Sequence, residues 1–253
     1  IPEARLQELD EEVRKEVADA TYRAQRSKEP GPTGEAKRPL PRKLTDRSAE
    51  YRGPDPGPAP EGEKRLTMLE AIRDVLYTRL ESDERVTLFG EDLEDPKGDV
   101  FGVTKGLTKA FPQRVMNSPL AEASIVGLSV GRALAGGRPV AFLQFADFLA
   151  IAYNQIWSEM GSMYWRTDGG WQCPVILMVT TGGYKPGLGP FHASSMEGTA
   201  AHTPGVDVFM PSTAGDAAGM LNAAFESARP TIFFYPKSCL NDRDNTTTPD
   251  VGR

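Results

Sequence analysis

Five side chains in this sequence have the types and the settings that site chemistry uses. Glu91 follows a short apolar run and a glycine, Leu88-Phe89-Gly90-Glu91-Asp92. Glu122 lies near the start of an otherwise apolar helical pattern, Leu120 to Gly127. Gln144 and Phe148 bracket Phe145-Ala146-Asp147 after a second apolar run. His192 closes a loop containing Gly182, Gly183, Gly187 and Gly189. A carboxylate at Glu122 suits the positive end of a helix dipole. It equally suits a semi-buried acid whose raised proton affinity lets it share a proton with a ligand nitrogen. Phe145 reads as core. Phe148, at a helix start, reads either as core or as a face for a flat heterocycle. A histidine at the end of a glycine-rich loop suits acid–base chemistry or donation to a transition state. His202, before Thr203-Pro204-Gly205, reads as a turn histidine.

Other chemistries find less support. Gly127-Leu128-Ser129-Val130-Gly131 fits the G-x-S-x-G pattern of hydrolases, but a nucleophile elbow needs a strand, a sharp turn and then a helix. Ser129 falls inside a helical pattern instead. The glycines form neither a phosphate loop nor a dinucleotide fingerprint. Two cysteines and two histidines in no ligand-like spacing exclude a structural zinc site, and no metal ligands are expected in this chain.

The elements that must position these residues alternate between strand and helix. Thr67-Met68-Leu69-Glu70 is a capping box opening a helix with Leu69, Ile72, Val75, Leu76 and Leu80 on one face. A strand over 85–89 follows. Ser118-Pro119 predicts a helix N-cap and first turn, with the helix ending at Gly136-Gly137. Further strands are predicted over 139–144, 174–180, 206–210 and 231–235, and helices over 148–164 and 214–227. This alternation indicates an α/β fold, a mostly parallel sheet sandwiched by helices. In such sheets ligands lie beyond the carboxyl ends of strands, which is where Glu91, Gln144 to Phe148 and the His192 loop fall.

Four regions are expected. Residues 3–27 repeat Leu6, Leu9, Val13, Val17, Ala20 and Ala24 at helical spacing, so 1–28 is an N-terminal helical segment. Residues 29–63 carry eight prolines and few large apolar residues, the composition of a linker. Residues 64–240 form the globular part, and the polar stretch 241–253 reads as a linker towards a further domain. The 253 residues carry a net charge of −6, against a nucleic-acid partner, which would call for a basic face. The most apolar stretch, 139–152, is broken by Gln144 and Asp147 and falls short of the roughly 18 apolar residues of a membrane span. Low cysteine content fits a reducing, cytoplasmic setting.

Seven segments, in order over 64–240, resemble the β subunit of thiamine-diphosphate-dependent 2-oxoacid dehydrogenases, the E1 component. They are Leu88 to Asp92, Val100 to Leu107, Ser118 to Glu122, Ala135 to Pro139, Gln144 to Phe148, Phe191 to Ser194 and Ala201 to Gly205. The resemblance implies a transketolase-like pyrimidine-binding domain and thiamine diphosphate as cofactor. It implies that Glu122 bonds the aminopyrimidine ring nitrogen, that Phe148 stacks on the ring, and that Gln144 and Glu91 lie close to the cofactor. His192 would be the active-site histidine. The implied reaction is decarboxylation of a 2-oxoacid, branched-chain or pyruvate, with acyl transfer to the lipoyl domain of an E2 acyltransferase.

The diphosphate and Mg2+ would be held by an E1 α-type domain, because the G-D-G motif that normally binds them is missing here. The first helix, with its Ser27-Lys28-Glu29-Pro30 tail, resembles the last helix of that α part, so a fused α–β chain of which this is the middle is expected. It would assemble as a homo-oligomer or in an α2β2-like form. His192-Ala193-Ser194 replaces the family's usual His-Ser-Gln, and Ser227-Ala228-Arg229-Pro230 replaces its cation-holding turn, so no monovalent cation is expected. A transketolase-like or deoxyxylulose-phosphate-synthase-like thiamine enzyme, and a catalytically silent assembly module, are the alternative readings.

Overall fold

The computed structural model describes residues 2–28, 53–54 and 56–252. The first helix, α1 (Glu3–Arg26), is as long as its periodicity predicts, and none of its residues is buried. Ion pairs one turn apart along it, Arg14–Asp10 at 2.6 Å among them, are exposed and contribute about a few tenths of a kcal/mol at most. Residues 29–52 and 55, most of the expected linker, lie outside the described residues.

The rest is built on a six-stranded parallel sheet. Its strands are β2 (Val86–Gly90), β3 (Val115–Asn117), β4 (Arg138–Leu143), β5 (Ile176–Thr181), β6 (Asp207–Phe209) and β7 (Thr231–Pro236), in the order β3-β2-β4-β5-β7-β6. All five neighbouring pairs are parallel. Every residue of β4, β5 and β7 is buried, as strands covered on both faces must be.

Alternate residues separate the two cores. Val140, Phe142, Met178, Phe233 and Tyr235 pack with α2 (Met68–Ser82) and α7 (Ala214–Glu226). Ala141, Leu143, Leu177, Val179, Ile232 and Phe234 pack with α4 (Glu122–Leu134) and the helical segment after β4. Two short helices, α3 (Leu107–Ala110) and α6 (Glu197–Ala201), complete the connections.

The capping box at α2 forms as its residues predict. Thr67 Oγ1 accepts from the Glu70 N–H, and Glu70 Oε2 accepts from the Thr67 N–H at 2.9 Å. Thr213 and Asp216 repeat the device at α7.

Four expectations need correction. The Ser118-Pro119 helix start does not form: α4 begins at Glu122 with no side-chain cap. The Ser118 N–H is taken by the Gly90 carbonyl at 2.7 Å, which continues the β2–β3 pairing, so Glu122 is the first residue of the helix rather than one turn into it. The predicted helix over 148–164 divides into a 3₁₀ segment (Ala146–Ala152), a π-helical segment (Gln155–Gly161) and the short α5 (Met163–Arg166). At the π-helical end a Cβ on Gly161 would stand 2.5 Å from the Pro204 carbonyl oxygen, so the glycine lets two backbones meet. The last three residues of the expected linker, 61–63, belong instead to β1 (Glu61–Leu66). The tail, expected to be linker, supplies β8 (Thr247–Pro249), which pairs antiparallel with β1.

Candidate active site at the carboxyl edge of the sheet

β2 ends in Gly90, and only glycine fits there, because a Cβ would lie 2.4 Å from the Phe142 carbonyl oxygen on β4. That close approach carries Glu91 straight into the interior, where it is 2% exposed. Its Oε1 has no hydrogen-bond partner. Burial, then the neighbouring Glu122 and Asp92 carboxylates, push the Glu91 carboxyl up to about 7. Glu122, half-buried at the α4 start, is the electrostatic neighbour of this buried acid. A buried carboxyl beside a like charge is a common signature of a functional site.

Gln144, the first residue beyond β4, is 4% exposed. Its Nε2 donates to the Glu91 carbonyl, and its own carbonyl accepts from the Thr180 hydroxyl. Its side-chain oxygen has no partner. Phe148 and His192 come together through a third ring. The His192 and Phe145 centroids are 4.8 Å apart, Phe148 and His192 5.9 Å, and Phe145 and Phe148 5.9 Å, all edge-to-face. Phe101 extends this wall at 6.3 Å from Phe145, and Tyr184 reaches Phe101 at 5.5 Å.

Sequence reasoning missed two charged residues. Asp99 is buried with φ of 74°. Its Oδ2 accepts from the Phe101 and Val103 N–H groups at 3.3 and 3.5 Å. Burial pushes its carboxyl up to about 6 despite those bonds and one from Gln144. Lys237 follows β7 and is 5% exposed, with Nζ 2.6 Å from the His192 carbonyl oxygen and 4.7 Å from the Phe145 ring centre. Asp99 follows a glycine in a loop and Lys237 follows a buried strand. Those placements were legible, but their partners were not.

All five predicted residues therefore lie along one edge of the sheet. Glu91, Gln144 and Glu122 form its polar floor, and Phe148 and His192 an aromatic wall. Ser129 is excluded from this site. It is buried in mid-helix with its hydroxyl donated to the Ile125 carbonyl at 2.8 Å. His202 lies exposed at the end of α6, and only its neighbour Thr203 is buried. Among the described residues no group of three His, Cys, Asp or Glu side chains is placed to hold a metal ion, and no helix is long and apolar enough to cross a membrane.

An all-parallel sheet with unpartnered buried oxygens and a cluster of aromatic rings at its carboxyl edge defines the class of the domain as doubly covered α/β. The family model for the transketolase pyrimidine-binding domain matches residues 64–242, and the chain belongs to that family. It is similar to the 2-oxoisovalerate dehydrogenase subunit beta of Bacillus subtilis, 40% identical over 173 residues, covering 68% of this chain and 52% of that one. The pyruvate dehydrogenase E1 component subunit beta of the same organism is 42% identical over 171 residues, covering 66% and 51%. The 3-methyl-2-oxobutanoate dehydrogenase subunit beta of Mycobacterium tuberculosis is 38% identical over 192 residues, covering 74% and 55%. The chain spans about half the length of these relatives. Among solved structures, a split gene transketolase in an inactive beta4 tetramer shares the fold at a TM-score of 0.57 and 22% identity, covering 70% of this chain and 53% of that one.

Proposed function

We propose that this chain supplies the pyrimidine-binding half of a thiamine-diphosphate site in the E1 component of a 2-oxoacid dehydrogenase. The observation that carries the reading is the buried Glu91 carboxyl, one oxygen without a partner, beside Glu122 at the carboxyl edge of the parallel sheet. The unpartnered oxygens of Glu91 and Gln144 are acceptors that suit the amino group of a pyrimidine. Glu122 would hold the ring nitrogen and Phe148 would stack on the ring. When bound, thiamine diphosphate supplies the nucleophilic carbon and the electron sink that decarboxylation needs.

The chain's own residues do the rest. Glu91, poised near neutrality, stores or releases a proton at the floor of the site. Gln144, tied to the Glu91 carbonyl, fixes that floor. The rings of Phe145, Phe148 and His192 pack edge-to-face, and the exposed His192 imidazole would serve as the proton-transfer group of the reaction. Mg2+ and the diphosphate fall to an E1 α-type partner domain, and the acyl product goes to the lipoyl domain of an E2 acyltransferase. The substrate is a branched-chain 2-oxoacid or pyruvate. α1 is the last helix of an E1 α-like part in a fused α–β chain, assembled as a homo-oligomer or in an α2β2-like form in the cytoplasm.

Glu122→Gln, made in the complete enzyme, tests this. The amide keeps the shape but cannot share a proton, so decarboxylation should fall roughly 10²–10⁴-fold with the fold intact. Near-normal turnover would reduce Glu122 to a helix-terminus charge. Comparing kcat/KM for pyruvate and 2-oxoisovalerate then assigns the substrate, since each extra methylene in an apolar pocket is worth about 1–3 kcal/mol.

A further inference from the structure

The loop that carries His192 is closed at its base and held from two sides. The Gly182 N–H donates to the Ser194 carbonyl at 3.2 Å, joining the two ends of the loop. From one side Lys237 donates to the His192 carbonyl at 2.6 Å. From the other, both carboxylate oxygens of Asp147 accept from the Ser194 N–H, at 3.3 Å each. Lys237 itself is rigidly placed, because its own N–H donates to the Thr181 carbonyl at 3.1 Å and continues the β5–β7 pairing. Its ammonium also lies over the Phe145 ring, the ring against which the His192 imidazole packs. Burying an ammonium is costly. Here burial depresses the proton affinity of Lys237, and the Asp147 charge opposes that effect. A solvated surface lysine would have made no such contacts, and the loop's outer residues, Tyr184 and Phe191, are exposed.

We propose that Lys237 is the positioning residue of His192: its ammonium, held between the His192 carbonyl and the Phe145 ring, fixes the foot of the glycine-rich loop so that the imidazole stands edge-on to Phe145 and Phe148. Asp147 is the second anchor, acting on the Ser194 amide. The inference rests on the reading that His192 acts in the reaction, but the placement of the loop can be measured independently of it.

The test uses the complete enzyme with its diphosphate-binding partner. Lys237→Met should lower kcat about 10- to 100-fold, the scale of a lost hydrogen bond to a charged donor, and leave thiamine diphosphate affinity by calorimetry unchanged. Lys237→Arg should restore most of kcat. Chymotrypsin should nick the Lys237→Met enzyme faster at Tyr184 and Phe191. In a His192→Ala background, Lys237→Met should cost nothing further, because a residue acting through His192 has nothing left to position. An equal fall of kcat in both backgrounds would show that Lys237 acts by itself and would overturn the proposal, as would nicking at the unaltered rate. If Lys237→Met does not fold, Lys237→Gln and Asp147→Asn carry the same nicking and double-mutant readouts. If His192→Ala alone is fully active, the role given to His192 fails, and the nicking rates decide whether Lys237 positions the loop.

Discussion

Replacing Glu91 by glutamine should stabilise the domain above neutral pH and change it little in acid. The folded carboxyl titrates at about 7 against an ordinary value of 4.5, so the folded state binds this proton more tightly than the unfolded state. Below pH 4.5 both states are protonated and the carboxyl exerts no penalty. Between 4.5 and 7 the unfolded chain ionises first and stability falls. Above 7 the whole cost is present. At about 1.4 kcal/mol per pH unit, the gap amounts to about 3 kcal/mol. Glutamine has the same shape and no charge, so it removes that cost. Urea unfolding of wild type and Glu91→Gln at pH 4, 6 and 8 measures it: a difference near zero at pH 4 should rise to about 2–3 kcal/mol at pH 8. A difference independent of pH would refute the desolvated carboxyl. Glu122→Gln should shrink the effect, because the Glu122 charge is one cause of the Glu91 shift.

Three further outcomes follow from the packing. Ser129→Ala should leave decarboxylation by the complete enzyme unchanged and cost about 1 kcal/mol or less in urea unfolding, because its hydroxyl only supplements the bonding of the Ile125 carbonyl. Native thiol titration at pH 8 should count one fast group, half-buried Cys239, whereas buried Cys173, its thiol pushed up to about 12 by burial, should react only on unfolding. Gly205→Ala should destabilise by about 2–4 kcal/mol or prevent folding, a loss visible in Tm, because its Cβ would lie 2.1 Å from the Gly161 carbonyl oxygen at a φ of 77°.

Local signals in the sequence carried the elements whose stabilising partners are near in the chain. The Thr67–Glu70 box spans four residues, and its reciprocal hydrogen bonds are local. The largely apolar runs of β4, β5 and β7 read as strands, because burial on both faces favours near-continuous apolar residues. The parallel α/β class and the placement of Glu91, Gln144, Phe148 and His192 beyond strand ends followed from that alternation. Tertiary structure decided what depends on distant partners. Ser118 and Pro119 carry a good helix-start signal, yet the Gly90 carbonyl takes the Ser118 amide, and a strand pairing outweighs a local cap. The tail read as linker because the strand that pairs with Thr247–Pro249, β1, lies far along the chain. The raised proton affinity of Glu91 depends on desolvation, and so on how closely β2 approaches β4 at Gly90. Lys237 and His192 are 45 positions apart, and no local spacing rule reaches that far. Spacing records which side chains can share a face, while the sheet order β3-β2-β4-β5-β7-β6 sets which strand ends meet and therefore which charges must be buried together.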